Sequence, residues 1–408
     1  MRTGRNQALC IESGAPELVC TDDHILFTWS PNGPREIRAD HVRQGDYLAM
    51  PTTLPSGKNS MEPDLAYLLG YTCGDGNLSG RRVQWAERDQ TQVLAMQSLG
   101  VRLFNEAIGV HRRKGQDSYL LYSVVGGKVQ EWIANFPEVC ESGSEKRAVP
   151  CIVSSSNNEV VAAFLSGLFD ADGSVHGKAH VSLAVVSKTL RDQVYMLLLR
   201  LGIMATCGMS PSKPPRQAVY RLTISGEQSV LFRLRVGFKM PHKSARLLGA
   251  MVRPRTGKRG WDVTCVPVDY AELKRNGYSP KKHGVGSSIY TNRRLERWRL
   301  EKIRENMSAD GLDVRFIDRW AGFRWTKIKR ISHTPPLDTY DLTVQENHNL
   351  IAGGIMVHNC NSISALPLEL RRRFGFGTFF FDLPVADERQ RIWSLYLSKY
   401  ELGGQPIP

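Results

Sequence analysis

The sequence predicts a multidomain protein in which a small all-β unit, contributed by segments near both ends of the chain, is interrupted by a larger α+β domain. Three observations carry this. Short alternating runs over residues 11–50, and again from Trp325 to Asn359, are broken by turn residues such as Ser30-Pro31-Asn32-Gly33-Pro34 and Gly45-Asp46. Between them, from about Pro63, long apolar-periodic segments mix with strand-like runs such as Tyr119–Val125 and Val219–Ile224. Two segments of that middle region also repeat each other in register. The 408 residues exceed what one ordinary core holds.

The first β segment leads with Met1-Arg2-Thr3-Gly4-Arg5-Asn6 into no apolar h-region, so no secretory signal is read there and a cytoplasmic protein is expected. Eight cysteines scattered without CxxC pairing argue against a structural zinc site and a dense disulfide framework. A formal charge of +14 favours an anionic partner. With no apolar run near ~18 residues, nucleic acid fits better than membrane.

In the middle region Leu65–Gly76 and Ala162–Gly173 superpose at a constant offset of 97, which carries Asp75 onto Asp172. Ala66, Gly70 and Gly74 stand at i, i+4 and i+8 in the first copy, and Ala163, Gly167 and Ala171 in the second, so each helix has one face without bulk. Glycine inside a helix costs roughly 1 kcal/mol against alanine, which near backbone contact between the two faces would return. Asp75 and Asp172 follow, then Gly76 and Gly173, residues suited to ending a helix. Helices packed side by side leave the two carboxylates adjacent at two negative dipole ends, an arrangement that calls for a cation. Oxygen ligands with open positions suit Mg²⁺, which next to a basic surface activates water against a phosphodiester. Either copy alone is an ordinary Asp-Gly helix stop; the repetition in register points to catalysis.

These segments resemble the paired LAGLIDADG motifs of homing endonucleases, the second nearly verbatim as Leu165-Ser166-Gly167-Leu168-Phe169-Asp170-Ala171-Asp172-Gly173, the first departing at Tyr71, Thr72 and Cys73. The resemblance implies a monomeric pseudo-dimer over residues 61–250, saddle-shaped sheets gripping a long double-stranded DNA target, and Mg²⁺ held by Asp75 and Asp172. Lys146, before Val149-Pro150, resembles the family's basic residue near the cleaved phosphate, with Lys243 its counterpart in the second half; a solvated surface lysine is the competing reading of each. Ser187–Ile203 reads as an amphipathic scaffold helix. Residues 251–320 are dense in Lys274, Arg275, Lys281, Lys282, Arg293, Arg294, Arg297, Arg299, Lys302 and Arg304; the stretch 274–304 is either DNA-contacting or, around Arg293–Arg304, an exposed ion-paired helix using Glu296, Glu301 and Glu305.

The second β segment contains Thr339-Tyr340-Asp341-Leu342-Thr343-Val344, Asn347-His348-Asn349-Leu350 and Val357-His358-Asn359-Cys360. It resembles the C-terminal splicing blocks of inteins. By that resemblance Asn359 cyclises through its side-chain amide and breaks the bond to Cys360, His348 and His358 move protons or polarise the carbonyl, and Cys360 is the accepting thiol. Thr21-Asp22-Asp23-His24, followed by Gly45-Asp46, resembles the intein TxxH block, with Thr21 and His24 activating the first scissile amide. The implied splicing domain is of the all-β Hint type, from residues 1–60 and 321–359. An intein's first Cys or Ser stands several tens of residues before this histidine and only 23 residues precede His24. A missing N-terminal intein and ATPase segment, or a split arrangement, is therefore expected. Residues 360–408 resemble a late piece of an AAA ATPase, on Leu366–Phe374 and Phe379–Pro384, with Asn361 as polar sensor and one of Arg371–Arg373 as arginine finger. No P-loop motif occurs in the chain. The alternative expectation is a degenerate or truncated element that binds DNA without cutting and does not splice.

Overall fold

The computed structural model describes residues 2–79, 82–113, 117–140, 143–177, 179–211, 217–252, 266–284, 294–340 and 349–358. His348, Asn359, Cys360, Arg293 and the ATPase-like tail lie outside these residues.

Segments from the two ends of the described chain fold together. Strand β1 (Arg2–Glu12) pairs antiparallel with Arg330–Tyr340, from Arg2 opposite Tyr340 to Glu12 opposite Arg330, and on its other side with β2 (Leu18–Thr21). A second sheet interleaves β3 (Ile25–Ser30), β4 (Gly33–Arg38) and β5 (Tyr47–Met50) with three late strands, Arg324–Lys327, Asn349–Ala352 and Ile355–His358. Ile355–His358 sits between β3 and Asn349–Ala352, with Val357 opposite Leu26. Alternation explains the pattern: Leu9 and Ile11, Leu26, Leu48, Ile355 and Val357 all turn inward and are buried.

Between these segments the chain builds one motif twice. The first copy runs α1 (Pro63–Asp75), β6 (Gly76–Ser79), β7 (Arg82–Glu87), α2 (Gln90–Phe104), β8 (Gly109–Arg112), β9 (Tyr119–Tyr122) and α3 (Lys128–Ala134). After the short helices α4 (Pro137–Cys140) and α5 (Cys151–Ser155), the second runs α6 (Asn158–Asp172), β10 (Gly173–His176), β11 (His180–Val185), α7 (Lys188–Arg200), β12 (Thr206–Ser210), β13 (Val219–Ile224) and α8 (Glu227–Arg235), followed by α9 (Pro241–Val252). The sheets have matching orders, β6-β7-β9-β8 and β10-β11-β13-β12, all neighbours antiparallel. Equivalent positions carry equivalent caps: Asp89 accepts the Thr91 N–H ahead of α2, and Ser187 accepts the Leu190 N–H ahead of α7.

The described part of the basic stretch is a helical cluster with its own core. Leu273, Tyr278, Leu300, Ile303, Met307, Phe316 and Trp320 are buried together against Ala49 and Trp325 of the second sheet. Its arginines largely serve the fold. Arg297 donates to the carbonyls of Ala321 and Phe323, Arg299 pairs with Glu296 at 2.8 Å, and Arg304 pairs with Asp318. Residues 297–309 thus form a helix with Arg299 and Arg304 ion-paired to Glu296 and Asp318.

Candidate active site

The site begins with the contact between α1 and α6. A Cβ added at Gly70 would stand 1.9 Å from the Phe164 carbonyl oxygen, one at Gly167 would stand 2.1 Å from that of Tyr67, and one at Gly74 would stand 2.4 Å from the Ala171 Cβ. The faces without bulk therefore meet, backbone against backbone, as the repeat predicts. Gly76 and Gly173 end the two helices, as expected. Their φ values of −72° and −74° are extended, not left-handed, because each helix runs directly into a strand. Glycine is needed there for room: a Cβ would fall 2.4 Å from the Thr72 carbonyl oxygen in one copy and 2.4 Å from that of Phe169 in the other.

The departures from the motif in α1 have structural partners in their own half. Tyr71 donates to Glu87, Thr72 donates to the Leu68 carbonyl at 2.7 Å, and the Trp85 indole donates to the Thr72 hydroxyl at 3.1 Å. Asp170 of α6, buried, is a tie across the helix pair. It accepts from Tyr67 of α1 at 2.8 Å and from the Lys239 and Met240 backbone N–H groups at 3.0 and 3.3 Å, while Gln92 donates to the Tyr67 hydroxyl at 3.0 Å. An aspartate inside an apolar helix segment was the signal for such a network, since a buried carboxylate needs donors.

Asp75 and Asp172 end the two helices together. Burial first, then repulsion from Asp172 and Glu87, pushes the Asp75 carboxyl up to about 6, against the pull of Lys243 and Arg147. Burial also raises Asp172, again against Arg147 and Lys243. Lys243, from α9, donates to the carbonyls of Phe169, Asp170 and Ala171 and so caps α6. Arg147 performs the matching act on α1, donating to the carbonyls of Cys73, Gly74 and Gly76. Lys146, which the sequence reading placed near the cleaved phosphate, is exposed in a short turn, and its neighbour Arg147 is the residue that reaches the end of α1. Adjacent basic residues in one turn carry no local signal of which points inward.

Two carboxylates raised by burial, Asp75 also by the charge of Asp172, and flanked by two cations, are a donor set that suits a hard divalent ion. Among the described residues no group of three Asp, Glu, His or Cys side chains converges to cage a metal. Asp75 and Asp172 are the residues that would hold such an ion, leaving its other positions open.

Residues 159–237 match the family model described as a LAGLIDADG-like domain. Curated relatives include a glutamine–fructose-6-phosphate aminotransferase of Methanocaldococcus jannaschii, 28% identical over 73% of this chain and 27% of that protein. The replicative DNA helicase DnaB of Rhodothermus marinus is 27% identical over 83% of this chain and 38% of that protein. A replication factor C small subunit of Thermococcus kodakarensis is 27% identical over 65% of this chain and 30% of that protein. The chain thus spans about a third of the length of the curated relatives it matches. Similar solved structures include I-DmoI in complex with DNA and Mn, at 23% identity and a TM-score of 0.33, covering 43% of this chain and 96% of that one. Another is the N-terminal LAGLIDADG domain of DUF199/WhiA, at 16% identity and a TM-score of 0.33, covering 46% of this chain and 89% of that one.

The residues singled out in the β segments are only partly within the described structure. Thr21 ends β2 and its carbonyl accepts the His24 N–H at 3.2 Å. His358 ends the strand Ile355–His358, its ring 6.3 Å from that of Phe27. With Val357 opposite Leu26 in an antiparallel pair, His358 lies at the end of β3 where His24 precedes Ile25.

Proposed function

We propose that this chain is an intein-like splicing element carrying a LAGLIDADG-type endonuclease that makes a metal-dependent double-strand break in DNA. The observation that carries the nuclease reading is the pair Asp75 and Asp172 at the ends of two helices packed glycine to backbone. The two antiparallel sheets of matching order support a pseudo-dimer that reads a long duplex with one chain. Mg²⁺ on these aspartates would supply an activated water and stabilise the leaving oxygen. The chain's own residues do the rest. Asp75 and Asp172 bind as carboxylates, Lys243 and Arg147 hold the two helix ends in position, and their charges favour an approaching phosphate.

The splicing reading rests on different support. The relatives are an aminotransferase, a helicase and a replication factor subunit, yet each aligns with most of this chain over a minor part of its own length. A segment common to such dissimilar proteins favours an inserted element over a host's own catalytic domain. The pairing of early and late strands, which brings the His24 and His358 positions to one end of β3, supports a splicing fold of the Hint type. In the proposed step the Asn359 side-chain nitrogen attacks its own backbone carbonyl carbon, a succinimide forms, and the bond to Cys360 breaks. His358 and His348 deliver a proton to the departing amine. Intact mass after incubation tests this: a released peptide beginning at Cys360 is expected, and only full-length chain would refute it. Linearisation of DNA in Mg²⁺, lost in Asp75→Asn and Asp172→Asn, tests the nuclease. Binding without any cutting would identify a degenerate element instead.

A further inference from the structure

The hairpin that leads to Asn359 is held in place by the middle domain. Strands Asn349–Ala352 and Ile355–His358 are joined by Gly353 and Gly354, with Ala352 opposite Ile355. Both glycines have positive φ, 57° and 82°, the tight two-residue turn that only residues tolerant of left-handed backbone adopt. Gly354 is pressed against α7: a Cβ there would stand 2.8 Å from the Tyr195 ring, 3.5 Å from Leu199 and 3.6 Å from Met50. On the other side, Gly353 faces the Pro16 and Glu17 carbonyls, at 3.5 and 3.6 Å from an added Cβ. Tyr195 is buried, its hydroxyl 4.0 Å from the Met50 sulfur, and Ile355 and Val357 are buried with it in one core.

The backbone alone does not orient this hairpin. Among the described residues, Ile355–His358 registers with β3 at one pair, Val357 opposite Leu26, and Asn349–Ala352 lies at the sheet's edge. Its direction is therefore set by what packs against its turn and inner face. The same surface of the middle domain is tied down nearby. Lys188 pairs with Glu17 at 2.8 Å, the Cys207 N–H donates to the Gly14 carbonyl at 2.8 Å, Thr53 donates to the Arg200 carbonyl at 2.8 Å, and Arg324 donates to the Gly202 carbonyl at 3.0 Å.

We infer that Tyr195, on the endonuclease helix α7, is a positioning residue for cleavage at Asn359, so that the endonuclease half is a structural part of the splicing fold rather than a removable insert. This rests on the reading of Asn359 as the cleaving residue, but the brace itself is measurable without it. In the full chain, Tyr195→Ala should speed amide hydrogen exchange at Ile355 and Val357 by roughly tenfold or more, while amides of α1 and α6 stay protected. Tyr195→Phe should exchange as the wild type does, because the ring and not the hydroxyl fills the space under Gly354. Tyr195→Leu removes the ring under Gly354 but leaves an apolar side chain in the core, and it replaces the alanine variant if that one does not fold. Release of the Cys360 peptide should slow in the alanine or leucine variant, recover in phenylalanine, and leave DNA cleavage unchanged. Unaltered exchange at Ile355 and Val357 in both Tyr195→Ala and Tyr195→Leu overturns the inference. If the wild type releases no peptide while the exchange shift occurs, the brace stands and the assignment of Asn359 is what fails.

Discussion

Substituting Gly167 by alanine isolates the helix contact on which the paired aspartates depend. The new Cβ would lie 2.1 Å from the Tyr67 carbonyl oxygen and 2.8 Å from the Tyr71 nitrogen, where 3.4 Å is an ordinary contact. Both neighbours are backbone, so α1 and α6 must separate by on the order of 1 Å, a displacement in the overpacking range of about 1–3 kcal/mol and at its upper end. Helix propensity returns about 1 kcal/mol, leaving a net loss of roughly 2 kcal/mol, or about 4–8 °C in Tm for a domain of this size. Gly249 supplies the control. It sits in α9 with nothing within 4 Å of an added Cβ, so Gly249→Ala should gain about 1 kcal/mol by the same propensity. Thermal and urea unfolding of both variants measure the difference. A Gly167→Ala protein as stable as Gly249→Ala would refute the claim that these helices touch through their glycine faces.

Asp75 gives a pH signature. Its ordinary value of 3.8 rises to about 6 on folding, so the folded state holds the proton more tightly, and metal-free stability should fall as pH rises from about 4 to 6. Asp75 contributes on the order of 3 kcal/mol to this loss, and Asp75→Asn should remove that share while the part from Asp172 remains, as urea unfolding across that range would show. Removing Arg147 strips three carbonyls of a cationic donor; Arg147→Ala should cost about 2 kcal/mol in urea unfolding, with Arg147→Lys recovering part of it. Tyr67→Phe leaves the buried Asp170 short of a donor and should destabilise the chain by roughly 1–3 kcal/mol in urea unfolding. Asn359→Ala should abolish release of the Cys360 peptide without altering DNA cleavage.

What the sequence disclosed, and what it did not, follows from the range of the interactions. The helix pair was legible because Gly70, Gly74 and Gly167 violate helix propensity in a repeated register, and only close packing explains that violation. The bracketing β strands were legible from alternation and turn residues, but their partners were not, since Arg2–Glu12 finds Arg330–Tyr340 across the whole middle domain. The cap that Arg147 places on α1 had no local signal, because Lys146 and Arg147 differ only in which way a short turn aims them. The folded nature of residues 297–309 was written in Leu300, Ile303 and Met307, a helical face overshadowed by the surrounding charge. The Tyr195 brace had no local signal, because a tyrosine on an amphipathic helix says nothing about a glycine turn some 160 residues further along.

The central claim, that Asp75 and Asp172 form one metal-dependent DNA-cleaving site, is tested most directly with a supercoiled plasmid carrying the host gene without the inserted element. Incubated with the full chain and Mg²⁺, it should be linearised at one site, with no cutting in chelator and none by Asp75→Asn or Asp172→Asn proteins that keep the wild-type unfolding profile. A folded wild-type chain that binds this DNA but leaves it intact, or an Asp172→Asn chain that still makes the double-strand break, would contradict the account.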